Sequence, residues 1–97
     1  MTQQQAIKVT KALADPTRFR ILQTIADSKE SCCGELARDF PVTQATVSQH
    51  LKILTEAGLV EVRREGQFNY YRMLREVFED YQRTMAAAFP GVASLTS

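Results

Sequence analysis

The run TQATVSQHLK, residues 43–52, is dense in short hydrogen-bonding side chains and carries a single Lys. Read as a helix, it buries Val47, Leu51 and Leu54, which lie at i, i+4 and i+7. Ala45, Ser48, Gln49 and Lys52 then share the opposite side. A solvated helix face is usually richer in Glu, Lys and Arg. Neutral donors and acceptors with one cation are what a helix needs to enter a DNA groove and touch base edges. The adjacent thiols Cys32 and Cys33 are the second chemically capable group. Without a signal peptide they read as reduced thiols rather than a disulfide framework. They fall near a helix start, where a thiolate is favoured, so a reactive thiol there is chemically reasonable. Neighbouring helical residues point about 100° apart, however, so one ion reaches both only if that turn is irregular. The lone His50 lies at the edge of the buried side of its helix. As a general base it would need a partner nucleophile, and none is indicated.

The elements that must position these groups are legible from periodicity and caps. A short helix is expected from about Gln3 to Ala14, with Ile7, Lys11 and Ala14 on one stripe and Ala6, Val9 and Leu13 beside it. Asp15-Pro16 ends it and starts a second helix, to Asp27, with Asp15 as N-cap and Phe19, Leu22, Ile25 and Ala26 inward. A third helix covers roughly Cys32 to Phe40 and packs Leu36, Ala37 and Phe40. After the Pro41-Val42 turn, Thr43 caps the fourth helix, without a capping box because Thr46 stands where Glu or Gln would be needed. Gly58 ends it. LVEVRR and FNYYRM read as two strands joined through Glu65-Gly66-Gln67, with Tyr70 and Tyr71 on opposite faces. Leu74, Val77, Phe78, Tyr81, Met85 and Ala88 form the stripe of a last helix. The fold class is therefore mainly α with a small β-hairpin, α-α-α-α-β-β-α. Residues 1–97 form a single winged helix-turn-helix domain, with a disordered tail from about residue 90.

Composition bounds the function. With 97 residues, 44% of them apolar, the chain suits one small domain whose modest core makes an oligomer reasonable. No apolar run reaches membrane-spanning length, and the reading is of a cytoplasmic protein with no membrane partner. The net charge of +1 is modest for a DNA-binding chain. Residues 43–75 nevertheless carry a local balance of +2, from Lys52, Arg63, Arg64, Arg72 and Arg75 against Glu56, Glu61 and Glu65, while the last helix is acidic.

The segments ALADPTRFRIL (12–22), GELA (34–37), TQATVSQHLKILTEAGLVEVRREG (43–66) and NYYRM (69–73) together resemble the ArsR/SmtB family of bacterial winged-helix repressors. The resemblance spans most of residues 8–80. It implies a homodimer paired through its first and last helices, bound to double-stranded operator DNA of pseudo-palindromic sequence and repressing transcription. By position it assigns base contacts to Gln44, Ala45, Ser48 and Gln49. Thr43, Thr46, Lys52, Arg63 and Arg64 more naturally hold phosphates. Gln67 stands at the wing tip, where many members carry a basic residue. No cofactor is required. Many members release DNA on meeting an effector, and those that respond to arsenic or cadmium carry Cys-x-Cys at the third helix. Here Cys32 matches the first cysteine, and Gly34 replaces the second.

Cys32 and Cys33 thus have three readings: structural thiols, ligands of trivalent arsenic or another thiophilic metal ion, and thiols open to oxidation. Trivalent arsenic favours three thiolates, and zinc would want four ligands. The last helix offers Glu76, Glu79 and Asp80 but no histidine. Two other classes compete with a repressor. A winged-helix protein-interaction module would call for an apolar recognition face, which Ser48, Gln49 and Lys52 do not provide. An enzyme would call for a nucleophile–base pair or a phosphate loop, and neither motif is present.

Overall fold

The computed structural model describes residues 1–92. Its elements run α1 (Gln3–Leu13), α2 (Pro16–Ala26), β1 (Ser31–Cys32), α3 (Cys33–Asp39), α4 (Gln44–Glu56), β2 (Val60–Glu65), β3 (Phe68–Met73) and α5 (Arg75–Ala88). The helices start where local chemistry starts them. Thr2 and Gln5 form a reciprocal capping box on α1, and the Asp15 carboxylate accepts from the Arg18 amide with Pro16 in the first turn of α2. Gly58, at φ +82°, takes the left-handed conformation that ends α4.

One core joins these elements: Val9 from α1, Ile21, Leu22 and Ile25 from α2, Leu36 from α3, Val47, Leu51 and Leu54 from α4, then Leu59, Val60 and Tyr71. The α4 stripe is fully buried, as its spacing requires. Two inward stripes differ from expectation. On α1 the buried residues are Ala6, Val9 and Ala12, while Ile7 is 54% exposed. On α2, Ile21 replaces Phe19, which is exposed. That helix packs against α1, α4 and β3 together, so its buried side follows those three neighbours rather than a single stripe.

The β structure is also larger than a hairpin. Ser31 and Cys32 pair antiparallel with Tyr71 and Tyr70, giving a three-stranded sheet in the order β1-β3-β2. The element order is therefore α-α-β-α-α-β-β-α. A strand of two residues is too short to show alternation, and only the open edge of β3 reveals it. Strands β2 and β3 pair from Val60–Met73 to Glu65–Phe68, closed by Gly66 at φ +60° and a Gln67 of ordinary φ. A glycine in the first of two turn positions is the type II′ pattern, whose twist matches the strands.

The last helix follows its expected stripe, yet none of its residues is fully buried. The tail expected from about residue 90 begins with a turn at Pro90 and Gly91 and lies, from residue 93, outside the described residues.

Candidate nucleic-acid interface

Helix α4 is held by its core stripe with its other side in solvent. Gln44, Ala45, Thr46, Ser48, Gln49 and Lys52 are all exposed, and Ala45, Ser48, Gln49 and Lys52 form one line along the helix. The helix starts at Thr43, whose hydroxyl accepts from the Thr46 amide at 3.2 Å and meets the Thr46 hydroxyl at 3.0 Å. Thr43 and Thr46 are thus partly engaged in shaping the helix start. Gln44, Gln49 and Lys52 make no side-chain hydrogen bond or ion pair among the described residues, so their polar ends face outward unspent.

The adjacent wing arginines Arg63 and Arg64 occupy different settings. Consecutive residues project to opposite faces of a strand, which puts Arg63 beside Tyr70 and Arg64 beside Asn69. The Arg63 fork donates to both Glu30 carboxylate oxygens, at 3.0 and 2.9 Å, and to Glu65, while its guanidinium lies 4.8 Å from the Tyr70 ring centre. The bond to Glu30, then that to Glu65, raises the Arg63 pKa further. The same contact lowers that of Glu30. Arg63 therefore braces the wing internally, and its charge is already compensated. Among the described residues Arg64 donates only to Asn69, at 3.2 Å, and it keeps an exposed charge. Gln67 is exposed at the tip. The wing's other outward pair, Arg72 and Glu61, is also joined, at 2.5 Å.

Tyr71 is buried and Tyr70 half-buried, which resolves their alternation. Desolvation raises the Tyr71 pKa, with the nearby Cys33 contributing next. His50 is mostly buried: Nδ1 lies 3.3 Å from the Arg18 guanidinium and Nε2 3.9 Å from the Asp15 carboxylate. Arg18 also donates to the Ala12 and Lys11 carbonyls. His50 thus ties α4 to the α1–α2 corner, a structural role without a nucleophile in contact.

Cys32 ends β1 in extended conformation and caps α3, whereas Cys33 is the first residue of that helix. Among the described residues no group of three or more His, Cys, Asp and Glu side chains is placed to hold a metal ion. Cys33 instead places Sγ 3.4 Å from Oγ of Ser48, in the middle of the exposed α4 line. No sequence pattern signalled that contact or the one between Glu30 and Arg63, because each joins residues far apart in the chain that only tertiary packing brings together.

Elsewhere, α1 and α5 pack together and leave a groove of about 270 Å³ lined by Ala6, Ile7, Thr10, Met85, Ala88 and Phe89. Ile7 is 54% and Phe89 58% exposed. Among the described residues no helix is long and apolar enough to cross a membrane.

Comparison with known proteins agrees with this geometry. A helix-turn-helix domain family model matches residues 13–63. The HTH-type transcriptional regulator Rv2034 of Mycobacterium tuberculosis is 40% identical over 89 residues, covering 88% of this chain and 82% of that protein. The transcriptional repressor SdpR of Bacillus subtilis is 36% identical, covering 74% of this chain and 79% of the relative. The arsenic resistance transcriptional regulator ArsR1 of Pseudomonas putida is 45% identical, but the match spans only 54% of it. Among solved structures, the homodimeric winged helix-turn-helix DNA-binding domain Mb0332 of Mycobacterium bovis superposes with a TM-score of 0.73 at 32% identity, covering 94% of this chain and 84% of that one. A possible transcriptional regulator for arsenical resistance gives the same TM-score at 37% identity, covering 81% of each chain. By sequence and fold together, the chain belongs to the ArsR/SmtB family of winged helix-turn-helix transcriptional repressors.

Proposed function

We propose that the protein acts as a homodimer that binds a pseudo-palindromic operator and represses transcription from it. The observation that carries this reading is the exposed line Ala45, Ser48, Gln49 and Lys52 on a helix otherwise locked into the core. Gln44, Ala45, Ser48 and Gln49 contact base edges from the major groove. Glutamine offers a paired donor and acceptor to adenine, serine bonds several bases, and alanine packs on a thymine methyl. Lys52 and Arg64 hold phosphates, with Thr43 and Thr46 at the helix start, and these contacts set register without reading sequence. Arg63 contributes by stiffening the wing, and Gln67 meets the backbone without charge. The α1–α5 groove supplies the dimer face, which presents two copies of α4 to two half-sites.

The test is a panel of single-base variants of a duplex selected by the protein from random DNA. Gln49→Ala should lose about 1–3 kcal/mol of discrimination at one symmetric position in each half-site and little elsewhere. Unchanged discrimination at every position would remove Gln49 from base reading.

Within one protomer the thiol pair is not by itself a closed arsenic site. Trivalent arsenic favours three thiolates, the chain has two, and no third donor is grouped with them among the described residues. A thiol-responsive repressor is the second reading, favoured by the Cys33–Ser48 contact. An electrophile or oxidant that enlarges the Cys33 side chain collides with the recognition face itself. On this reading Cys33 controls release and Cys32 does not.

A further inference from the structure

Lys8 and Lys11 stand on an exposed side of α1, three residues apart, so they are neighbours on the helix surface. With Arg18 from α2 they line a depression of about 260 Å³ whose other wall is Ile53, Glu56 and Ala57, the last turn of α4. Three cations thus surround one carboxylate. Neither lysine takes part in an ion pair among the described residues. Glu56 is also unpaired there, so it does not neutralise them through a direct contact. The Arg18 guanidinium is fixed by the Ala12 and Lys11 carbonyls and by His50, which holds its charge in place beneath the two lysines.

Position gives this basic depression its partner. It adjoins α4 directly beyond Lys52, on the same helix that carries the base-reading line. Lys11 also borders the apolar α1–α5 groove, which Lys8 does not line. In a dimer paired through that groove, each depression would lie beside the dimer face and about one turn of α4 beyond Lys52, which would set it against the DNA backbone between the half-sites.

We propose that Lys8 and Lys11, with Arg18 as a fixed charge, grip the phosphate backbone of this central operator segment. The contact adds affinity and sets half-site spacing without reading bases. The inference rests on the dimeric repressor reading and deepens it. It also supplies cations that the balanced wing lacks, since Arg63 and Arg72 are each compensated by carboxylates.

The experiment is a fluorescence anisotropy titration of the full-length protein on a duplex carrying two half-sites, over a range of KCl concentrations. Wild type is compared with Lys8→Gln/Lys11→Gln and with Lys8→Gln alone. Glutamine keeps helix propensity, and sedimentation velocity monitors the dimer. The double variant removes four cations per dimer, so the slope of log K against log salt should become shallower by about 3 to 4. Lys8→Gln, which lies outside the apolar groove, should give about half that change. Replacing the central phosphates with neutral methylphosphonates should bring wild type down to the double variant and leave the double variant unchanged. An unchanged slope, or equal losses for wild type and variant on the neutral duplex, overturns the inference while the repressor reading stands. Failure of wild type to prefer any duplex overturns both.

Discussion

The dimer face can be tested through Ile7 and Phe89, the two large apolar side chains that a single copy leaves most exposed along the α1–α5 groove. Full burial of such a side chain contributes about 1.5–3 kcal/mol. Each is already nearly half covered, so covering the remainder is worth about 1 kcal/mol per side chain on the same scale. Two-fold symmetry counts each one twice. Ile7→Ala/Phe89→Ala should therefore weaken self-association by about 4 kcal/mol, or roughly a thousandfold in dissociation constant. Sedimentation equilibrium across protein concentration measures this directly. Because neither side chain belongs to the monomer core, far-ultraviolet circular dichroism should still report a folded chain. Duplex binding should become steeply dependent on protein concentration. A dimer constant within threefold of wild type would refute the assignment of the α1–α5 groove as the dimer face.

Three further outcomes follow from individual residues. Gly58→Ala forces a side chain into φ +82°, which should cost about 1–2 kcal/mol and lower the thermal midpoint by several degrees; an unchanged midpoint would contradict the cap. The Asp15 carboxylate accepts from the Arg18 amide, and this bond above all holds its pKa below the usual 3.8. Its contribution is present above about pH 3.8 and is lost as pH falls through the lower folded value. Asp15→Asn should thus flatten the acid limb of a urea-midpoint profile, and parallel limbs would exclude the linkage. Hydrogen peroxide or iodoacetamide should release DNA from wild type and from Cys32→Ser but not from Cys33→Ser. Release that depends on Cys32 alone would refute the Cys33–Ser48 route.

What could be read in the sequence was whatever local chemistry decides. The α4 stripe, the Asp15 cap, the Gly58 stop and the two wing strands each depend on residues within a turn or a strand of one another, and the structure holds all of them. The exposed α4 line was legible for the same reason, because burial of Val47, Leu51 and Leu54 leaves only one side for Ser48 and Gln49. What escaped was set by distant partners. Ser31 and Cys32 become a strand only because β3 offers an edge, and Phe19 is left outside because three elements converge on the other sides of α2. Arg63 and Arg64 are adjacent and alike in sequence, yet Glu30, more than thirty positions away, separates their roles. Ile7 reads as core because its apolar surface does need cover, which the proposed dimer partner would supply.

The most direct test of the account is selection of duplexes from a random-sequence library by the full-length wild-type protein, followed by stoichiometry on the enriched DNA. A two-fold symmetric motif is expected, with half-sites one helical turn apart, about 10 base pairs or a multiple of it, bound by two protomers. Binding should weaken steeply as salt rises. Enrichment of no motif, or of an asymmetric motif bound by one protomer, would contradict the dimeric operator-binding function.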